Sequence, residues 1–148
     1  ADELSCAIGM SVLSKLKDII KKRHEIAKKI DLSLKASKVI SPSNLELPNC
    51  SSSIFFHTVT VDIKKISVSK VKFASAVAAE GIAINGDYRD VTCEWPWMQN
   101  HVRMHKKNPH AINFRDRTFN ILFNEKYGKK EIKNIIDSIL KVEKFYIK

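Results

Sequence analysis

Two histidines four residues apart, His101 and His105, come nearest in this sequence to a metal site. On a helix that spacing would put both imidazoles on one face, and Cys93, Glu94 and His110 lie close by in sequence. A zinc-protease helix needs glutamate directly after the first histidine, and Val102 stands there instead. No cysteine pair has zinc-finger spacing, so these side chains read as loop or surface histidines, and no metal is expected. Serine and cysteine are plentiful, but no G-x-S-x-G elbow exists to raise one as a nucleophile. Four glycines in the whole chain are too few for a phosphate-cradling loop. His57 falls on the apolar side of a strand pattern, where a hydrogen-bonded core or interface histidine is expected rather than a base.

The formal net charge of +10 permits contact with polyanions. Lys21-Lys22-Arg23 and Lys106-Lys107 are basic clusters, and Tyr88, Trp95 and Trp97 are rings that could stack on bases. The remaining lysines are spread along amphipathic segments and interleaved with Asp and Glu, the pattern of solvated faces. No nucleic-acid-binding signature is present. A free-standing basic module for nucleic acid or another polyanion is therefore the runner-up reading, and nucleic acid is not the expected partner.

The elements that must carry these residues are legible from periodicity. From Leu4 to Ile30 apolar residues recur along one helical stripe (Leu4, Ile8, Val12, Leu16, Ile19, Ile20, Ile26, Ala27, Ile30), which predicts one helix capped by Asp2. Such a helix would be about 40 Å long, too long for so small a domain to cover. Part of its stripe should lack a partner in the chain and could drive self-association. Ser41 to Asn44 and Leu47 to Asn49 read as a loop. Ile54 to Ile63 alternates as a strand, with Phe55, His57, Val59, Val61 and Ile63 on one side. Ser69 caps a helix that carries Phe73 and Val77 and stops at Gly81. Ile82 to Ile84 suits a short buried strand ended by a turn at Asn85-Gly86.

Asp87 to Arg117 shows no steady period, and irregular stretches of that length are often functional when ordered. Thr118 to Phe123 then reads as a strand with Phe119, Ile121 and Phe123 on one side. Behind Gly128 comes a last helix with Ile132, Ile135, Ile136, Ile139 and Leu140 on its face, although Lys129 and Lys130 oppose the dipole at its start. This order predicts an α+β fold, a small, mainly antiparallel sheet with helices packed on one face and a long helix leading in.

The 148 residues suffice for one core. Cys6, Cys50 and Cys93 are odd in number and far apart, which fits a reducing, cytoplasmic setting rather than a disulfide framework. No apolar run reaches the ~20 residues of a membrane helix, so no membrane is expected. Asp2 and Glu3 stand where a signal peptide would carry positive charge. An opening on Ala1 rather than methionine is what a trimmed chain or a fragment would show.

One segment carries a family pattern. Asp2-Glu3-Leu4-Ser5-Cys6-Ala7-Ile8-Gly9-Met10, followed by Leu13, Leu16 and Lys22-Arg23, resembles the helix that leads from the cofactor domain into the C-terminal small domain of DegT/StrS-family sugar aminotransferases, which depend on pyridoxal phosphate (PLP). Later matches fall in the family's order. Ser52 to Phe56 is similar to its first small-domain strand, and Phe73 to Gly81-Ile82 to its helix and Gly-Ile turn. Tyr88 matches a family tyrosine, and Phe119 to Tyr127, with the helix holding Glu131, its closing strand and helix. The resemblance runs from Asp2 to about Tyr146. Asp87 and Thr92 stand where the family usually has histidines, and Glu94-Trp95-Pro96-Trp97 departs from its common loop.

What the resemblance implies is a fragment, with residues 1–35 a connecting helix and 36–148 the small domain. The intact enzyme would move an amino group from glutamate or glutamine onto a keto sugar, usually nucleotide-linked, through PLP. The lysine, acidic partner, ring and phosphate contacts that hold PLP would lie in the large domain of the same polypeptide, and the intact protein would be a homodimer. This chain is then expected to bind no cofactor and to supply no catalytic residue by itself. Tyr88, with Asn85 and Arg89, would line the substrate side.

Overall fold

The computed structural model describes residues 2–42, 49–50, 52–88, 91–98 and 108–148. Among these residues five helices and four strands follow one another as α1 (Glu3–Leu13), α2 (Leu16–Leu34), β1 (Ile40–Pro42), β2 (His57–Val61), α3 (Lys70–Ala79), β3 (Ile84–Asn85), α4 (Pro109–Arg117), β4 (Thr118–Ile121) and α5 (Lys129–Tyr146). The strands make one antiparallel sheet in the order β1-β2-β4-β3. The expected α+β class, with its small antiparallel sheet, is what folds.

The single leading helix is a correction. Asp2 caps α1 as expected, its carboxylate accepting from the Ser5 N–H at 2.8 Å and the Ser5 hydroxyl at 2.8 Å. At Ser14-Lys15, however, the helix breaks. The Ser14 hydroxyl donates back to the Ser11 carbonyl at 2.9 Å, and the Lys15 amide bonds Val12 three residues back. Together they tighten the last turn and end α1 before α2 begins. None of α1 is buried, with Leu4 70% and Leu13 67% exposed. By contrast α2 inserts Ile26, Ala27, Ile30 and Leu34 into the core.

Past α2 the Glu143 carboxylate of α5 accepts from the Lys38 N–H at 2.8 Å and from the Ser37 hydroxyl. That pair steers the chain into β1, which sequence pattern alone reads as part of a loop. Ile40, Ser41 and Pro42 pair with Val61, Thr60 and Val59. Proline is tolerated there because β1 is an edge strand. β2 is shorter than its alternation suggests, and Phe55 and Ile63 are exposed. The Phe55 carbonyl accepts from the Arg23 guanidinium at 3.0 Å rather than from a neighbouring strand.

His57, Val59 and Val61 share a face with Phe119 and Ile121 of β4. Against that face pack α2, α3 and α5, with the Phe73 and Phe119 rings 6.4 Å apart. Ser69 caps α3 and Gly81, at φ +88°, stops it. β3 lies later than expected, with Ile84 opposite Ile121 and Asn85 opposite Asn120, so Asn85 belongs to the strand rather than to a turn. On α5 the buried residues are Ile132, Ile135, Ile136, Ile139, Val142 and Glu143.

The opposite face of the sheet carries Thr58, Thr118 and Asn120, and α4 lies across it. This helix sits inside the stretch read as irregular. Asn108 caps it by accepting from the Ala111 N–H at 3.2 Å, and Pro109 takes the first turn, where its missing N–H costs nothing. It has no buried residue, so it shows no apolar stripe for periodicity to find.

Glu131 answers the two lysines that begin α5, its carboxylate accepting from the Gly128 N–H at 2.8 Å. Its own backbone N–H, then that of Gly128, hold its pKa below the usual 4.5. A depressed folded pKa contributes stability that is present above the unfolded value and lost as pH falls through the folded one. We therefore expect Glu131→Gln to destabilise the chain at neutral pH and to flatten the acid limb below pH 4.5, measured by urea unfolding across pH. An unchanged acid limb would show that this cap carries no weight.

Candidate functional site

Between the Thr58–Asn120 face of the sheet and the segments 91–98 and α4 lies a cavity of 580 Å³. That is within the usual range for a small-molecule site. Its floor is polar: the Thr58 hydroxyl donates to the Asn120 side-chain carbonyl at 2.8 Å, and the Thr118 hydroxyl donates to the Phe114 carbonyl at 2.8 Å. Its walls are mainly apolar and aromatic, with Phe56, Tyr88, Val91, Met98 and Phe114 among them. The Phe56 and Tyr88 rings sit 6.2 Å apart and tilted by 47°. A flat or ring-shaped ligand would meet apolar surface at its sides and hydrogen-bonding groups at its end.

Arg115 marks the rim. Its Nε donates to the Asp116 carboxylate at 3.0 Å and its Nη1 to Glu94, which lies in the short turn Thr92–Glu94. Asp116 first, then Glu94, raise the guanidinium above its ordinary pKa. This pair ties α4 to the segment that forms the opposite wall.

Behind Tyr88 the chain is anchored by a buried lysine. Lys70, 6% exposed, donates from Nζ to the Gly86 carbonyl at 2.8 Å. Burial pushes its ammonium down from the usual value, Asp87 and then Asp116 oppose that shift, and Arg115 adds to it. Gly86 itself lies against α3, where a Cβ would stand 2.7 Å from that of Ala74. Sequence reasoning took the lysines as mostly exposed and did not single out Lys70. The signal was there: Lys70, Phe73, Ala74 and Val77 fall at i, i+3, i+4 and i+7, all on the buried face of α3.

Of the three expected substrate-side residues, Tyr88 lines the cavity, 44% exposed. Asn85 is exposed on β3 beside Asn120, and Arg89 lies outside the described residues. His57 is on the other face of the sheet, buried in the core, with Nε2 2.7 Å from the Asp31 carboxylate. His101 and His105 lie outside the described residues, and among the described ones no group of three potential ligands could hold a metal. Among the same residues, no helix is long and apolar enough to cross a membrane, and Cys6, Cys50 and Cys93 are free and exposed.

Features of the polyanion reading are partly occupied. Arg23 donates to the Phe55 and Phe123 carbonyls at 3.0 and 2.7 Å, and Trp95 and Trp97 lie on one another at 5.4 Å. Lys106 and Lys107 lie outside the described residues.

Whether these residues fit PLP turns on the amine. Among the described residues no lysine lines the cavity, and the buried Lys70 commits Nζ to a carbonyl. Among the described residues this cavity therefore offers no amine to the carbonyl of PLP.

Comparison with known proteins places this architecture. The family model of the DegT/DnrJ/EryC1/StrS aminotransferase family matches residues 1–140. No curated protein matches. Among solved structures, the chain is similar to the aminotransferase TlmJ from Streptoalloteichus hindustanus, with TM-score 0.82 and 15% identity over 98% of this chain and 37% of that one. Helicobacter pylori PseC, an aminotransferase involved in the biosynthesis of pseudoaminic acid, aligns with TM-score 0.76 and 18% identity over 94% and 36%. A Streptococcus pneumoniae protein described as a sugar aminotransferase, solved in a PLP form, aligns with TM-score 0.77 and 18% identity over 93% and 34%. At such identities the likeness is one of fold, and the chain spans little more than a third of each of these structures.

Proposed function

Because the chain belongs to the DegT/DnrJ/EryC1/StrS aminotransferase family, we propose that it is the C-terminal small domain of a sugar aminotransferase and works only with a large domain of the same polypeptide. Residues 1–35 are the connecting helices and 36–148 the small domain. The large domain holds PLP, which supplies the amino-group transfer from glutamate or glutamine to a keto sugar, nucleotide-linked in the commonest case. The intact enzyme is a cytoplasmic homodimer.

The observation that carries this reading is the match over residues 1–140, which takes in α1 as well as the sheet. Two physical features support it. Among the described residues nothing buries the apolar side of α1, as for a helix seated on another domain. The cavity behind Tyr88 has polar groups suited to sugar hydroxyls but no described amine. In this proposal Tyr88, with Asn85 and Arg89, meets the substrate, and the chain contributes shape and orientation rather than the reacting group.

The test compares the whole encoded polypeptide with this chain. Given PLP, glutamate and a keto sugar nucleotide, the polypeptide should turn over, and the chain alone should not exceed free PLP. Borohydride reduction and mass measurement of the chain should show scattered, substoichiometric labelling of lysines. One stoichiometric adduct with turnover from this chain alone would overturn the proposal.

A further inference from the structure

Lys70 has no part in the function proposed above, yet a lysine that is 6% exposed as a residue needs a partner for its ammonium. Its partner is the backbone of Gly86, two residues before Tyr88. The same turn is pressed against α3 so closely that any side chain at position 86 would collide with Ala74. Thus one helix holds the turn twice, by a charge-assisted hydrogen bond from its first residue and by bare backbone contact one helical turn later.

Two carboxylates also favour the charged form of Lys70. Asp87 follows Gly86 on the turn, and Asp116 belongs to α4. Asp116 in turn binds Arg115, and Arg115 binds Glu94 on the far wall. Opposite charges thus join α4 to the Thr92–Glu94 turn beside the cavity that Tyr88 lines.

We propose that Lys70 is a positioning residue for this cavity: by gripping the Gly86 carbonyl, it fixes the turn that sets the Tyr88 ring beside Phe56 in the cavity wall. Its importance for substrate rests on the aminotransferase reading, but the geometry does not. Methionine would keep the length and apolar stem of Lys70 and lose both grip and charge. Arginine would restore a cation and donors from the same helix position. Glutamine would keep a shorter donor without charge.

Tyr88, Tyr127 and Tyr146 are the chain's tyrosines, so 3-fluorotyrosine labelling of the full chain gives a three-line fluorine NMR spectrum, assigned by Tyr→Phe variants. Tyr146 packs on Phe73 of α3 at 6.5 Å and reports on the helix itself. In Lys70→Met the Tyr88 line should move by more than its width and broaden, while the Tyr146 line stays in place. Lys70→Arg should return the Tyr88 line towards its original position, and Lys70→Gln should fall between. Gly86→Ala, which pushes the same turn off α3 without touching Lys70, should displace the Tyr88 line as well. An unmoved Tyr88 line in Lys70→Met, or equal movement of the Tyr146 line, overturns the proposal. If Lys70→Met fails to fold, Lys70→Gln decides on the same criteria. None of these spectra needs PLP, amino donor or sugar, so a negative result leaves the aminotransferase reading where it stood.

Discussion

Replacing Phe119 with alanine is expected to lower the unfolding free energy by about 3–5 kcal/mol. Phe119 is wholly buried on β4, which lies between β2 and β3. It faces Val59 across the β2 pairing and the ring of Phe73 on α3. Truncation removes its apolar area and leaves a hole that a strand bonded on both sides cannot close by shifting. A domain of this size has roughly 5–15 kcal/mol in all, so the variant should lose much of its stability. Phe145 supplies the control. It is as large but 78% exposed, and Phe145→Ala should cost under about 1 kcal/mol. Urea unfolding of both variants measures the contrast. A Phe119→Ala cost no greater than the control would mean that the core is not where the fold puts it.

The second large effect concerns the pair that crosses from α2 to β2. Asp31 accepts from, or pairs with, His57 Nε2 at 2.7 Å, and the His57 side chain is fully enclosed. Its other ring nitrogen finds no partner among the described residues. Asp31→Ala therefore leaves an imidazole with neither nitrogen satisfied, and should cost about 2–3 kcal/mol. Removing both polar partners costs less than removing one, because no orphan remains. The double variant Asp31→Ala with His57→Leu should therefore recover much of the loss. Asp31→Asn, which keeps an acceptor in place, should cost the least. A double-mutant cycle additive to within about 0.5 kcal/mol would show that the two side chains do not act together.

Both effects belong to the sheet face that packs against α2, α3 and α5, and neither residue lines the cavity on the other face. The sheet thus separates what holds the chain together from what it presents. Tyr88, on the cavity side and 44% exposed, can then carry a fluorine with little effect on stability.

Much of this was readable in the chain's own order of residues. Asp2 and Ser69 as caps, Gly81 as a stop, the buried 57-59-61 alternation and the α5 isoleucine stripe each depend on groups a few residues apart. The segment from Asp2 to Arg23 also carried the family resemblance, and that family's model matches residues 1–140. Local geometry decides such features before any tertiary contact forms, so type and spacing suffice to find them.

Other features depend on partners distant in sequence, and only the folded chain decides them. Ser41-Pro42 looks like loop until β2 pairs with it, and Phe55 looks like strand until Arg23 takes its carbonyl. Pro109 to Arg117 has no stripe because its helix lies over a polar sheet face instead of entering a core. Lys70 carries an ordinary surface side chain by composition. It is buried because Gly86, sixteen residues on, returns to offer a carbonyl where α3 begins. A hydrogen bond of that kind is worth making only once packing has removed the competing water, and sequence spacing holds no record of that event.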